Sequence, residues 1–197
     1  MAALCALVAR NGIVGPTERA VFHAINGLPG WLSWPMWSMQ LFGVLAIGPA
    51  VAVVAFLARR GRLGAAAVLV TVMKLGAERV VKLLVKRQRP GSTIQEAILR
   101  HVPPKGWAFV SGHALLAAAL AGILSPYLRG RWKIVPWVMV GLVCIARVYL
   151  GAHSPLDVVG GAAIGLVVAG VINLLMGVPA RSAEASTTAS RDSRSGG

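Results

Sequence analysis

The sequence predicts an all-α protein: a polytopic transmembrane helical bundle of about five spans, preceded by an N-terminal amphipathic helix at the membrane interface. Three observations lead there. Hydrophobic residues make up 56% of the 197-residue chain, against roughly 45–50% in an ordinary soluble domain. Several runs of about 18 or more apolar residues follow one another, each long enough to cross a bilayer as a helix. Lys and Arg mostly fall in the breaks between those runs and in the C-terminal tail.

The length suits one folded unit, read here as three parts. Residues 1–30 form the interfacial amphipathic segment, 31–178 the transmembrane domain and 179–197 a tail. The tail is rich in Ser, Ala, Thr and Arg, a composition with too little apolar surface to fold. The net charge of +14 is not arranged in aromatic-interleaved basic stripes, so nucleic acid is excluded as a partner. Anionic lipid headgroups and phosphate substrates fit better. Cys5 and Cys144 read as small apolar residues, not as a bridge. Residues 1–9 lack a basic leading region and are followed by Arg10 and Asn11, so they do not read as a cleaved signal peptide.

Taken in order, residues 18–28 carry Ala20, Val21, Ala24, Ile25 and Leu28 at helical spacing with polar residues between. The segment is too short to span and suits the interface. Pro29-Gly30 ends it, and Trp31, Trp34 and Trp37 mark the entry of the first span, residues 36–58. A basic turn at 59–62 leads to the second span, 63–85, whose second half holds Lys74, Glu78, Arg79 and Lys82. Lys74, Glu78 and Lys82 share one helix face and read as a self-neutralising ladder. Pro90 turns the chain. Residues 91–107 form a loop longer than the ~12–15 residues of ordinary connections, which marks it as functional or disordered. The third span is 108–127, a second basic turn follows at 129–133, and the last spans are 134–150 and 156–178.

An odd number of spans sorts the connections onto two faces. Residues 59–62, 129–133 and the tail share one. The other collects the N-terminal helix, the long loop and three polar islands: 82–90, 111–113 and 147–157. Lys and Arg are balanced between the faces until Lys82, Arg89 and Arg147 are set aside for a role in the site. The remaining excess predicts a cytoplasmic tail and an extracytoplasmic site in a multi-pass cell-membrane protein.

Charge at membrane depth is costly and points to function. Lys82, Arg89 and Arg147 at one place call for an anion of more than one charge, and a phosphoryl group matches Arg bidentately. Lys82 and Arg89 are two helical turns apart and face one pocket if the helix continues to Arg89. Ser111 suits an N-cap, leaving the backbone N–H groups of Gly112 and His113 to bind an anion. A neutral His153 attacks phosphorus if Asp157 fixes its tautomer, while protonated His113 donates to the leaving oxygen. The cations, Ser111 and the backbone donors hold the equatorial oxygens. This chemistry needs no metal and no cofactor. Singly, each group has a plainer reading: Asp157 and Ser154 as a helix cap, Ser111 likewise, Arg147 and Lys82 as snorkelling cations. Three islands converging on one face with complementary chemistry favour catalysis.

At these residues the sequence resembles the type-2 phosphatidic acid phosphatases, related in fold to vanadium haloperoxidases. Their pattern K-x6-R-P is met by Lys82, Arg89 and Pro90, P-S-G-H by Val110-Ser111-Gly112-His113, and S-R-x5-H-x3-D by Ala146-Arg147, His153 and Asp157. Val110 and Ala146 depart from the pattern without removing a reacting group. The resemblance covers roughly residues 17–177. It implies a phosphohistidine intermediate on His153 and acid catalysis by His113. The expected substrate is a polyprenyl diphosphate, with phosphatidylglycerophosphate, phosphatidate and a decaprenylphosphoryl-pentose phosphate as rivals. A serine hydrolase built on Ser111 lacks the G-x-S-x-G elbow. A haloperoxidase fits soluble relatives better. A non-catalytic anionic-lipid-binding protein explains the basic turns but not the two histidines and the aspartate. The sequence leaves oligomeric state open.

Overall fold

Small residues set the centre of the bundle. The computed structural model describes Ala9 and residues 12–177, so Cys5, Arg10 and the tail fall outside the described residues. Helices α1 (Pro16–Asn26), α2 (Ser33–Gln40), α3 (Ile47–Leu57), α4 (Gly61–Val85), α5 (Gly112–Leu124), α6 (Ile134–Tyr149) and α7 (Pro155–Met176) follow in order. Among the described residues the sole non-helical pairing is one isolated bridge, Gln88 to Trp107. The fold is all-α, as the composition predicts.

Helix α5 is the buried axis, and α7 packs along its length. Gly161, Gly165 and Ala169 lie one turn apart on α7. They meet Ala114, Ala118 and Gly122, equally spaced on α5. A Cβ on Gly161 would sit 2.5 Å from the Ser111 carbonyl oxygen, and one on Gly165 would strike that of Leu115. Such ridges of small residues let backbones approach closely where lipid supplies no hydrophobic drive between helices. Around this pair, Ala52 and Ala55 of α3, Leu63, Ala67 and Val70 of α4, and Leu116, Leu120 and Ile123 of α5 close one core. Val140 and Val143 bring α6 against Ala117 and Ala121. Outward faces carry exposed Val53, Leu57, Val72, Leu84, Val138 and Leu174, as expected of surfaces that meet hydrocarbon rather than water.

By length and composition, Gly130–Tyr149 and Pro155–Met176 can each cross a membrane. The pair Gly30–Gly43 and Ile47–Leu57 passes the same test jointly but is bent by 61°. The expected first span, 36–58, is therefore not one continuous helix. A 3-10 turn, Leu41–Gly43, ends in extended Val44, and Gly43 lies so close to His113 that a Cβ would stand 2.7 Å from that of His113. Helix α4 is 25 residues long but charged, and α5 has 13 residues.

Two further expectations change. Helix α1 exposes Val21 and Ala24, as the turn after it exposes Leu28, and turns Glu18, Phe22 and Asn26, one turn apart, into the bundle. Phe22 enters a core with Ile94, Ala114, Val148 and Val158, Ile25 packs against it, and Glu18 and Asn26 supply polar contacts on either side. The loop 91–107 opens with a single turn, Pro90–Thr93, and is tied down. Asn26 Nδ2 donates to the Ile98 carbonyl at 2.9 Å, and Asn26 Oδ1 accepts the Ile98 N–H at 2.8 Å. Arg100 donates to the carbonyls of Asn26 and Tyr149 and stacks 4.0 Å over the Tyr149 ring.

Candidate active site

Helix α4 stops at Val85 because Lys86 turns left-handed, with φ 51°. The helix does not continue to Arg89, as a shared face with Lys82 would require. Residues 87–89 instead run extended against 106–108: Ala108 donates to Arg87 O at 2.7 Å and Arg89 to Gly106 O at 3.1 Å. Extended chain alternates its side chains, so Lys86 and Gln88 are exposed, Arg87 is buried and Arg89 is half-buried. Lys82, on the last turn of α4, donates to Glu78 Oε1, while Lys74 holds Glu78 Oε2 at 2.7 Å.

Ser111 caps α5 as expected, its hydroxyl accepting from Ala114 N at 3.5 Å. Its own N–H donates to the Asp157 carbonyl at 3.0 Å, which registers the start of α5 against the start of α7. His113 is half-buried, backed by Gly43. Arg147 closes α6, 7% exposed, and donates to the Gln40 side chain. The chain reverses through Gly151 at φ 76°. The Arg147 carbonyl then collects the N–H groups of Ala152 at 3.1 Å and His153 at 3.3 Å.

His153 is 2% exposed. Its Nδ1 faces Asp157 Oδ2 at 3.9 Å and has no hydrogen-bond partner. Asp157 is engaged elsewhere. Its Oδ2 accepts from Ser154 N at 2.8 Å and Ser154 Oγ at 2.9 Å, a capping box. Its Oδ1 accepts from Arg87 Nη1 at 3.0 Å. Arg87 also grips both oxygens of Glu18, at 3.0 and 2.6 Å, and Glu18 Oε1 takes the Leu156 N–H at 3.0 Å. A buried Glu18–Arg87–Asp157 chain thus fixes the start of α7 to α1.

Burial drives the His153 pKa well below 6.5, and the charges of Arg147, Arg89 and Lys82, then His113, add to the effect. Burial also lowers the Arg89 pKa, opposed by Asp157 and Glu78. The expected residues of all three islands therefore gather at one end of the bundle, around an uncharged imidazole. Among the described residues no three His, Cys, Asp or Glu side chains form a metal-ligand cluster.

Arg87, Glu18 and Gln40 were not among the expected site residues. A signal existed for each: Arg87 is two residues from Arg89 in an extended stretch, Glu18 is in register with Asn26 on α1, and Gln40 is a polar residue inside an apolar run.

The chain is similar to several known proteins. Residues 62–179 match the PAP2 superfamily. Decaprenylphosphoryl-5-phosphoribose phosphatase of Mycobacterium tuberculosis is 31% identical over 177 residues, covering 87% of this chain and 85% of that protein. Undecaprenyl-diphosphatase of Sulfolobus acidocaldarius is 30% identical over 120 residues, 59% of this chain and 57% of that protein. Two crystal structures share the fold. A PAP2-type phosphatidylglycerolphosphate phosphatase from Bacillus subtilis has a TM-score of 0.73 at 24% identity, over 92% of this chain and 96% of that one. Aquifex aeolicus LpxE has a TM-score of 0.71 at 21% identity, over 78% and 92%. The family match covers most of the chain and contains Lys82, Arg89, Ser111, His113, Arg147, His153 and Asp157: this chain belongs to the PAP2 superfamily.

Proposed function

We propose that this protein is an integral-membrane phosphatase that removes a terminal phosphate from a polyprenyl-linked headgroup through a phosphohistidine on His153. The observation that carries the reading is the buried His153 with Nδ1 toward Asp157, set among the charges of Arg147, Arg89 and Lys82 that with burial push its pKa well below 6.5. The Nε2 lone pair attacks phosphorus, the N–P bond forms and the bond to the leaving oxygen breaks. His113 gives that oxygen its proton. Lys82, Arg89, Arg147, Ser111 and the N–H of Gly112 hold the equatorial oxygens. Water then attacks phosphorus with His113 as base, releasing orthophosphate and restoring the imidazole. No step needs a metal. Asp157 meets the imidazolium charge across the 3.9 Å gap by a small closing motion or by its field alone.

The relative that spans most of the chain supports a polyprenylphosphoryl-pentose carrying a terminal phosphomonoester. The Sulfolobus relative favours a polyprenyl diphosphate as the second reading. Five crossings, with α5 enclosed by its neighbours and the Lys74, Glu78 and Lys82 face of α4 turned inward, and an extracytoplasmic site complete the proposal.

Phosphate release by purified protein in chelator, compared across a polyprenylphosphoryl-pentose phosphate, a polyprenyl diphosphate, phosphatidylglycerophosphate and phosphatidate, is the test. Turnover that persists in chelator and vanishes in His153→Ala is expected. Full activity of His153→Ala overturns the nucleophile, loss on chelation overturns the metal-free step, and preference for phosphatidate overturns the substrate.

A further inference from the structure

The mechanism leaves Glu78 without a role, yet Glu78 stands where the phosphate should. Its side chain is 19% exposed and held by Lys74 and Lys82 on either side. The carboxylate lies directly over Gly112, the first residue of α5: a Cβ built on Gly112 would be 2.5 Å from Glu78 Cδ and 2.7 Å from Oε1. Its charge also acts on Arg89, Arg147 and His113. One carboxylate thus sits among the cations and the helix start reserved above for a phosphoryl group.

Two anions cannot share that space, so loading requires Glu78 to yield Lys82 and withdraw from Gly112. What displaces it is decided by charge. A terminal phosphate carries about −1.5 to −2 at neutral pH. A phosphodiester carries a single charge, like the carboxylate itself, and gains no electrostatic advantage over a partner that is already in place and tethered. The membrane around the site is made of diester lipids, and a polyprenylphosphoryl-pentose phosphate contains a diester beside its terminal monoester. A site of bare cations would bind all of these.

Resting on the phosphatase reading, we propose that Glu78 is a displaceable internal counter-anion that closes the phosphate site to monoanionic phosphodiesters and yields it to dianionic terminal phosphates. After turnover the carboxylate returns to Lys82 and Gly112 and helps to expel orthophosphate. Glu78 is a specificity residue. It touches the binding groups and takes no part in bond making.

The test is inhibition of p-nitrophenyl phosphate hydrolysis in neutral detergent micelles by orthophosphate and by phosphatidylglycerol. Wild-type protein is expected to be insensitive to the diester lipid. In Glu78→Gln, the inhibition constant of orthophosphate should fall about tenfold or more, and phosphatidylglycerol should become an inhibitor. Glu78→Asp keeps the charge balance of the two lysines but draws the carboxylate back by one methylene, so it should move both constants the same way and decides the matter if Glu78→Gln does not fold. Both constants within about twofold of wild type in a folded variant overturn the proposal. If wild-type protein hydrolyses no phosphomonoester, the phosphatase reading fails instead. Calorimetric binding of orthophosphate to wild type and variant then reads the same competition without turnover.

Discussion

At the scale of single residues, two groups outside the spans tie stability to pH. His153 has a folded pKa well below its ordinary 6.5, first because it is buried and then because Arg147, Arg89 and Lys82 repel a proton. The unfolded chain takes up that proton as pH drops through about 6.5 while the folded chain does not, so stability is full above this value and is lost as pH falls. Glu18 acts in the same direction lower down. Burial raises its pKa, but the hydrogen bond and charge of Arg87 outweigh this, and the carboxyl is held below 4.5. Its contribution is present above 4.5 and is lost as pH falls further. The melting temperature of wild-type protein should therefore drop as the buffer is taken below about 6.5, and His153→Asn should flatten the decline between about 6.5 and 4.5. An unchanged slope in His153→Asn would contradict the assignment. Arg87 gives a second residue-scale expectation. Its guanidinium is 1% exposed and neutralises Asp157, which is fully buried. Arg87→Met leaves that carboxylate unpaired and should cost about 3–5 kcal/mol, read as a loss of melting temperature. A loss under about 1 kcal/mol, the worth of a surface pair, would show that the Asp157 carboxylate has another compensation.

At the scale of elements, periodicity and spacing carry unequal amounts of information. Lys82, Arg89, Ser111, His113, Arg147, His153 and Asp157 were legible because each island is polar in an apolar setting and lies within one segment. The long-range partners of Asp157 and Arg147 were not. Arg87 reaches Asp157 across 70 positions and Gln40 reaches Arg147 across 107, and no local period encodes such pairings. The bend in the first span escaped for a related reason: the run 36–58 carries no charge and only Ser38 and Gln40 as polar side chains, and the break at Gly43 lies against His113, a residue 70 positions away. The helical spacing of α1 is visible in the sequence, but which face meets protein depends on Arg87, on Ile98 and on the core that takes Phe22. The small-residue ladder of α5 and α7 is a case where packing decides the cost of a change. Gly165 and Gly170 lie in the same helix. A methyl at Gly165 collides with the Leu115 carbonyl, whereas one at Gly170 meets nothing within 4 Å. Gly165→Ala should destabilise the protein by about 1–3 kcal/mol, and Gly170→Ala should change stability by no more than about 1 kcal/mol, in the favourable direction. Equal effects in thermal melting would mean that the α5–α7 contact is looser than this packing requires.

For the whole molecule, contacts divide the bundle into two ends, and this division bears on how the chain crosses the membrane. At one end Arg62 donates to the Met176 carbonyl, the last residue of α7, and Arg60 stacks 5.8 Å over the Tyr127 ring. The start of α4, the turn that follows α5 and the end of α7 therefore lie together, beside the basic turns. At the other end Glu18, Arg87, Asn26, Ile98, Tyr149 and Ser154 interlock. A membrane placed across the bundle puts the basic turns on one side and the site with its tethered loop on the other, which is the arrangement five crossings produce. Helix α4 keeps Lys74, Glu78 and Lys82 half-buried on its inward face, so these three charges do not oppose insertion as the exposed charge of Arg79 does. Single cysteines at exposed Arg131 and exposed Lys105, in a chain with Cys5 and Cys144 replaced by Ala, test this directly. A membrane-impermeant maleimide added to intact cells should label Lys105→Cys, and Arg131→Cys should react only after the membrane is opened. The reverse pattern would invert the orientation and keep the five crossings. Labelling of both positions in intact cells would place the two ends on the same side and overturn the five-span topology itself.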